Sequence, residues 1–264
     1  KMAESKTQRA RRVLAERITS GEYPPDSQLP SISAIEAEFG ISKGSAASVV
    51  SQLRHDGLVV SRHGSGTFVR GFEPIRRSSP SRLAAAQWGE GKAIQDSDTG
   101  KRPRSVDVVV AEVPAPMEVA GVLGVVVGAA VISRFRRFVV ENRTVQLATS
   151  YFRRERVQGT PIVYTDTGPG GTYARLAEIG HRPVRFVERL RARMPLPEEA
   201  SKLDLPPGTP AIEITRLAFD ESDECVEVNR MILDASAYLL EYAFNAENQG
   251  HERQDIIKVD STPS

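Results

Sequence analysis

Apolar residues recur at helical spacing between positions 30 and 57 of this 264-residue chain. The pattern predicts a helix that Ser31 caps and Gly40 ends. A second helix is predicted after Ser42, and Gly57 ends it. The spacing forms one apolar face per helix, made of Ile32, Ile35 and Phe39 in the first and Ala46, Val49, Val50 and Leu53 in the second.

Two short strands are predicted directly after these helices, at 58–61 and 66–69, around a turn that contains Gly64. Helices followed by a hairpin predict a winged helix-turn-helix. The outward face of the second helix is small and polar, which suits entry into the major groove of DNA. A preceding helix is predicted at 8–20, and its polar face is either solvated or close to DNA phosphates: Arg9, Arg11, Arg12 and Arg17.

The composition changes at 72–105, where Ser, Gly, Pro and charged residues dominate. Such a segment predicts a linker, because it has too few apolar residues to bury a core of its own. A short helical patch with the single Trp88 is predicted inside it, at 84–88. The predicted organisation is a first domain at 8–71, this linker, a second domain at 106–245 and a flexible tail at 246–264.

The second domain contains an internal repeat at an offset of 80 residues. Each copy has the pattern of a short helix, a glycine turn and two strands, which predicts one antiparallel sheet with pseudo-twofold symmetry in an α+β domain. A further helix at 171–179 and a strand at 185–194 are predicted between the copies. The repeat pairs Ala120, Leu123, Val125, Gly128, Ile132 and Arg136 with Ala200, Leu203, Leu205, Gly208, Ile212 and Arg216.

Charge is distributed unevenly between the two halves. Residues 1–104 contain 17 Lys and Arg against 11 Asp and Glu, whereas residues 105–264 contain 18 against 23. A basic first half fits a phosphate-binding role. The single Cys225 excludes an internal disulfide, and no Cys or His cluster has the spacing of metal ligands, so no metal and no cofactor are expected. With no signal peptide and no long apolar run, we expect no membrane association and a cytoplasmic location.

The order of motifs over residues 9–70 resembles the winged-helix reader of GntR-family bacterial regulators. The motifs are G-x-Y-x-P from Gly21, L-P-S from Leu29, I-S-K from Ile41 and G-L-V-x-x-R-x-G-x-G-T-F-V from Gly57. Two family arginines are replaced, at Ser33 and Ala47. The expected DNA-binding residues are Ser31, Ser33, Lys43, Ser45, Ala47, Ser48, Arg62, His63, Gly64, Gly66 and Thr67.

The second half, from 106 to 244, resembles the UTRA effector-binding domain of the HutC branch of that family. The resemblance rests on R-F-R at 134–136, S-Y-F at 150–152, G-T-Y-A-R-L at 171–176, E-x-L-x-A-R at 188–193 and V-E-V at 226–228. It implies a fold like that of chorismate lyase, a homodimer, and a small anionic or sugar-like effector. Ala148 departs from the family pattern, since several relatives have a pocket glutamate there.

Several of these motif residues have side chains suited to an anionic ligand. Arg134 and Arg136 alternate along a strand and therefore share one face, where two guanidinium groups can bind a phosphate or carboxylate. Glycines before the helix at 171 offer backbone N–H groups to an anion. Alternatively, Arg136 and Glu227 form a structural ion pair and Tyr173 belongs to the core. The expected effector-binding residues are Arg134, Arg136, Ser150, Tyr173, Arg193 and Glu227.

The expected function is a transcriptional repressor that a phosphorylated or carboxylated effector releases from a palindromic operator in double-stranded DNA. One alternative is a constitutive or plasmid-type repressor whose second domain only dimerises. A second alternative is an enzyme similar to chorismate lyase, which is disfavoured because the sequence shows no nucleophile with a base and an orienting group.

Overall fold

The computed structural model describes residues 4–62, 64–71, 75–84, 103–140 and 143–243. Three predictions from the sequence fall wholly or largely outside these residues. They concern His63 as a DNA contact, the helical patch that contains Trp88 and the tail at 246–264.

The described residues between 4 and 69 form the predicted helices and hairpin. The elements are α1 (Lys6–Thr19), α2 (Ile32–Phe39), α3 (Lys43–His55), β1 (Val59–Arg62) and β2 (Gly66–Val69). The strands pair antiparallel, as a wing requires. The predicted apolar faces meet in one core, in which Leu14, Ile35, Ala46, Val49 and Leu53 are fully buried.

Capping residues explain where these helices begin and end. Ser31 accepts a hydrogen bond from the Ala34 backbone N–H at 3.2 Å, and Ser42 does the same for Ser45 at 3.2 Å. Gly40 ends α2 in the left-handed region at φ 57°, which glycine reaches without a steric penalty. The turn between α2 and α3 is therefore determined by local sequence.

The first part of the segment predicted as a linker forms regular secondary structure. Residues Ile75–Ser78 form β3 and Ser79–Leu83 form α4. Ile75 is 3% exposed and belongs to a core cluster of the second domain. This strand could not be predicted from the sequence, because four residues are too few to show a periodic pattern of apolar and polar positions.

The second domain is built on one six-stranded sheet in the order β4-β5-β6-β9-β8-β7, with every neighbouring pair antiparallel. A separate parallel pair joins β3 to the last strand. The elements are β4 (Arg104–Pro114), α5 (Met117–Leu123), β5 (Ala130–Val140), β6 (Arg143–Arg153), α6 (Arg154–Val157), a 3₁₀ turn (Pro161–Val163), α7 (Gly171–Glu178), β7 (Arg185–Arg193), α8 (Pro197–Leu203), β8 (Ala211–Phe219), β9 (Cys225–Asp234) and β10 (Tyr238–Glu241).

The predicted repeat is confirmed and is longer than the sequence indicated. Strand β4 precedes α5 just as β7 precedes α8, and both are edge strands of the same sheet. Asp107 lies at a shift in the β4–β5 register with φ 49°, and this irregularity breaks the alternation that would have predicted β4.

The two faces of the sheet are covered by different segments. Helices α5 and α8 cover one face, where Leu123 packs near Leu217 and Leu203 packs near Ile232. The segment from α6 to α7 covers the other face, and its Tyr173 packs with Phe152. Arg134 and Arg136 lie opposite Ser150 and Ala148 of β6, on this second face.

The two domains touch at the turn that precedes β8. A Cβ placed on Gly208, which has φ 78°, would lie 2.2 Å from the backbone carbonyl oxygen of His55 in α3. Arg70, just after the wing, donates to the Thr209 hydroxyl at 3.0 Å. The C-terminal end of α3 therefore packs directly against the second repeat copy.

Candidate functional site

The exposed side of α3 carries the predicted DNA contacts. Lys43, Ala47 and Ser48 are exposed, whereas the Ser45 hydroxyl lies 3.1 Å from the Ser42 hydroxyl within the helix cap. In α2, Ser33 is exposed and the Ser31 oxygen is engaged in capping. The surface therefore presents one ammonium group and small side chains, with no acidic side chain among the α3 residues.

The wing places backbone and charge at its tip. Gly64 and Gly66 both have positive φ, at 70° and 110°, which lets the hairpin turn tightly. The guanidinium of Arg62 pairs with Asp26 and lies 4.4 Å from the centre of the Phe68 ring. Arg62 is thus oriented within the chain, and a DNA phosphate would compete with Asp26 for it.

The arginines of α1 are largely paired with acids, which favours the solvated-face interpretation for three of the four. Arg11 forms a bidentate pair with Asp56. Arg12 pairs with Glu4 and Glu16, and Arg17 pairs with Glu22 and Glu38. Exposed pairs of this kind contribute little to stability, because water and salt screen them.

The structure brings five of the six predicted effector residues to one face of the sheet. The guanidinium of Arg136 donates to Ser150, and Arg134 donates to the backbone carbonyls of Tyr164 and Thr165. Burial, with the neighbouring charge of Arg136, lowers the pKa of Arg134 to about 10. Arg134 therefore also holds the covering segment to the sheet.

Tyr173 and Glu227 complete this site. The Tyr173 hydroxyl donates to Glu227 Oε2 at 2.7 Å, and both side chains are almost fully buried. Burial, reinforced by the charge of Glu227, raises the pKa of the Tyr173 phenol above its usual range. The alternative of a structural ion pair between Arg136 and Glu227 is not found among the described residues, where Arg136 donates to Ser150 and Glu227 accepts from Tyr173.

Three buried charged residues that sequence reasoning did not assign to the site extend it. Arg216 Nη1 donates to the Tyr173 oxygen at 3.4 Å and its Nε donates to Glu188 Oε1 at 2.9 Å. Arg77 of β3 donates to the same Glu188 oxygen at 2.8 Å. Arg216 had a signal in the sequence, because it is the repeat counterpart of Arg136, whereas Arg77 had none.

Among the residues that the structure describes, this cluster has more positive than negative charge. Four guanidinium groups, of Arg77, Arg134, Arg136 and Arg216, lie with the carboxylates of Glu188 and Glu227, and Asp166 lies near Arg134. Burial opposes the charge on Glu188, but Arg216 and Arg77 outweigh it and lower its pKa to about 2. Buried guanidinium groups in excess over carboxylates favour an anionic ligand.

Arg193 does not join the cluster, contrary to the expectation from the sequence. Its guanidinium forms ion pairs with Glu199 of α8 and Glu213 of β8. Since α8 covers the opposite face of the sheet, Arg193 connects a helix to that face. At the start of α7, the N–H of Gly168 donates to Asp166 at 2.8 Å, so an acidic side chain of the chain itself already occupies part of that glycine turn.

The residues that the structure describes contain no group of three or more His, Cys, Asp or Glu side chains arranged to hold a metal ion. No helix among them is long and apolar enough to cross a membrane.

A winged helix-turn-helix, an architecture that binds DNA in many proteins, is joined here to a sheet domain with a buried charged cluster. Family comparisons agree for both domains. Residues 6–69 match the model of bacterial regulatory proteins of the GntR family, and residues 98–238 match the UTRA domain. The chain therefore belongs to the GntR family and carries a UTRA domain.

The similarity to known relatives covers most of the chain. An HTH-type transcriptional regulator of Streptomyces coelicolor, SCO4628, is 34% identical over 76% of this chain and 78% of its own length. The histidine utilization repressor of Pseudomonas putida is 27% identical over 90% and 91%. The crystal structure of PhnF from Mycobacterium smegmatis, 23% identical, has the same fold with a TM-score of 0.55 over 90% of this chain and 99% of that one.

These comparisons confirm the expected class of protein. The family and the relatives are DNA-binding transcriptional regulators, so the protein is a regulator and the enzyme alternative is set aside. The α+β fold with an antiparallel second domain is confirmed as well.

Proposed function

We propose that the protein is a homodimeric repressor that binds a palindromic operator through α3 and the wing, and that a small anionic effector releases it. The proposal rests on the presence of two features in one chain. The first is an exposed face of α3 that has no acidic side chain. The second is a buried cluster in the second domain that has, among the described residues, more guanidinium groups than carboxylates. A repressor of bacterial operators acts in the cytoplasm.

DNA binding is assigned to the residues expected from the sequence that lie on this surface: Ser33, Lys43, Ala47, Ser48, Arg62, Gly64, Gly66 and Thr67, with Ser31 and Ser45 positioning the helix starts. Lys43 is at the first position of α3, close to where a recognition helix meets the phosphates that flank the groove. Two such helices in a dimer select inverted half-sites.

Replacing Lys43 tests the DNA-binding assignment. Lys43→Ala is expected to weaken binding to a duplex that the wild-type protein selects from a random library, and to reduce the salt slope by about 1, because one phosphate contact is lost. Lys202→Ala is the matched control, since Lys202 is an exposed lysine on α8 in the second domain. Equal gel-shift titrations for both variants would remove Lys43 from the DNA surface.

Effector binding is assigned to Arg136, Ser150, Tyr173 and Glu227, with Arg134 holding the covering segment. Burying an arginine that no full negative charge neutralises costs free energy, and a phosphate or carboxylate of the effector would offset that cost. The site also contains phenol, hydroxyl and carboxylate groups, of Tyr173, Ser150 and Glu227, that can hydrogen-bond a hydroxylated ligand.

A ligand screen tests the sensor. Phosphate monoesters and short carboxylic acids are titrated by calorimetry, and binders are added to the complex with the selected duplex. Arg136→Lys is expected to keep DNA affinity within about twofold but to lose release, because lysine cannot form the planar bidentate contact. Arg230→Lys, on a side chain paired with Glu118 of α5, is the control and should keep release.

The dimerisation-only alternative makes the opposite prediction. In that case no anion shifts operator affinity, while analytical ultracentrifugation still finds a dimer.

A further inference from the structure

The buried charged cluster continues from the proposed effector site to the segment that joins the two domains. Its first link is the Tyr173 hydroxyl, which donates to Glu227 at 2.7 Å and accepts from Arg216 at 3.4 Å. Tyr173 is 3% exposed and Arg216 is 1% exposed, so water does not screen these contacts.

The second link is the carboxylate of Glu188. Its Oε1 atom accepts from Arg216 Nε at 2.9 Å and from Arg77 Nη2 at 2.8 Å. Two guanidinium groups thus share one oxygen, and any change in the bond to one changes the attraction available to the other. The carboxylate stays ionised at neutral pH because these arginines lower its pKa to about 2 against the effect of burial.

The third link is Arg77, which lies on the segment that connects the two domains. Arg77 is a residue of β3, which begins six positions after Val69, the last residue of the wing. Strand β3 is held to the second domain by its parallel pairing with β10, by Ile75 in the core and by Arg77. Of these three, only Arg77 is connected to the site residues by charge.

We propose that Glu227, Tyr173, Arg216, Glu188 and Arg77 form a relay through which the effector site controls how firmly β3 is held, and thereby the position of the DNA-binding domain. The proposal rests on the proposed effector role of Arg136 and Glu227. Arg77 is in this view a positioning residue, since it does not contact the ligand. A ligand that binds the Tyr173 hydroxyl or Glu227 changes the contacts of Arg216. Because Arg216 and Arg77 donate to the same oxygen of Glu188, the strength of the contact between Arg77 and Glu188 changes with it.

A double-mutant cycle in the ligand-free full chain tests the relay. Hydrogen exchange is measured on backbone amides of β3 in Tyr173→Phe, Arg77→Lys and the double variant. Tyr173→Phe keeps the ring and its packing against Phe186 but removes both hydroxyl contacts. Each single change is expected to alter exchange in β3 by about five- to tenfold, and the double variant is expected to differ from the product of the two by at least fivefold.

Two controls separate a relay from general loosening. Arg230→Lys, combined with Tyr173→Phe, should give multiplicative effects, because Arg230 pairs with Glu118 on α5. Exchange in β6 should stay within twofold in Tyr173→Phe. Three results would overturn the relay. The effects of Tyr173→Phe and Arg77→Lys on exchange in β3 could be multiplicative, exchange in β3 could be unchanged, or exchange could rise equally in β3 and β6.

If Arg77→Lys does not fold, Tyr173→Phe alone decides, since only the relay predicts that a change at α7 appears selectively in β3. The experiment uses no effector, so its outcome is independent of the ligand screen. A failed screen with an intact cycle would remove the proposed ligand and leave the coupling in place. A positive screen with no coupling would keep the sensor and remove this route.

Discussion

At the scale of single residues, the carboxylate of Glu188 connects β3 to the sheet of the second domain. It is 7% exposed and neutralises arginines from two distant parts of the chain, Arg77 and Arg216. Breaking a buried ion pair by removing one partner leaves an uncompensated charge, which costs about 3–5 kcal/mol. The same carboxylate is therefore both a stabilising group and a connection between the linker and the sheet.

The pH dependence of stability is the first consequence. The pKa of Glu188 falls from 4.5 to about 2 on folding, because Arg216 and Arg77 outweigh the effect of burial. A carboxyl group with a lowered folded-state pKa contributes stability that is present above its unfolded pKa and is lost as the pH falls toward the folded value. The stability that depends on Glu188 should thus disappear between about pH 4.5 and pH 2, and it amounts to about 3 kcal/mol.

Glu188→Gln tests this expectation. Urea unfolding followed by circular dichroism from pH 2 to pH 7 should show a variant that is several kcal/mol less stable at pH 7 and loses less stability on acidification. Glu112→Gln is the control, since Glu112 forms a half-exposed pair with Arg154 and should change stability by less than about 1 kcal/mol. Parallel pH profiles for wild type and Glu188→Gln would show that the carboxylate is not held ionised by its neighbours.

At the scale of elements, sequence predicted best what short-range chemistry determines. Helices α2 and α3 begin at capping serines and α2 ends at Gly40, so their bounds followed from residue type and spacing. The repeat predicted β5, β6, β8 and β9, because each copy supports the assignment of the other.

Elements without a local signal were missed. Strand β3 has four residues and depends on pairing with β10, about 160 positions further along the chain. The same limit applies to the candidate site: motifs pointed to Arg136, Tyr173 and Glu227, but only the fold brings Arg77 to Glu188. Arg193, conversely, lies on the opposite face of the sheet from these side chains.

The start of α3 offers a test of how an element's cap affects function. Ser42→Ala removes the hydrogen bond from the Ser45 N–H and is expected to destabilise the winged domain by about 1 kcal/mol. It should also weaken DNA binding, because Lys43 and Ser45 lie in the first turn that the cap orders. Ser51→Ala, at an exposed position in the middle of the same helix, is the control for stability. If thermal unfolding and gel shifts rank the two variants equally, the cap does not order this turn.

At the scale of the whole molecule, the two copies of the repeat differ in how they relate to the winged domain. The two copies have glycines at equivalent turns, Gly128 with φ 81° and Gly208 with φ 78°. Only the second turn packs on the winged domain, where Arg70 donates to Thr209 and Gly208 lies against His55. Gly128 has nothing within 4 Å of the position that a Cβ would take, so the first copy serves as an internal reference for the second.

Gly208→Ala and Gly128→Ala form a matched pair that tests whether this contact sets the arrangement of the domains. Both variants carry the steric cost of alanine at positive φ, about 1–2 kcal/mol. Only Gly208→Ala would also place a methyl group 2.2 Å from the His55 carbonyl oxygen, a backbone atom that cannot rotate away. The winged domain should therefore separate from the second domain in Gly208→Ala alone.

The measurement is small-angle X-ray scattering combined with calorimetry on both variants. Gly208→Ala is expected to increase the radius of gyration and to split thermal unfolding into two transitions, because the domains lose their shared surface. Gly128→Ala should lower the unfolding temperature with an unchanged radius. Since the released domain would carry α3 to a range of spacings, operator affinity should also fall in Gly208→Ala beyond its fall in Gly128→Ala. Identical scattering and affinity for the pair would mean that the domains are already independent in solution, and that the contact between Gly208 and His55 does not fix the distance between recognition helices.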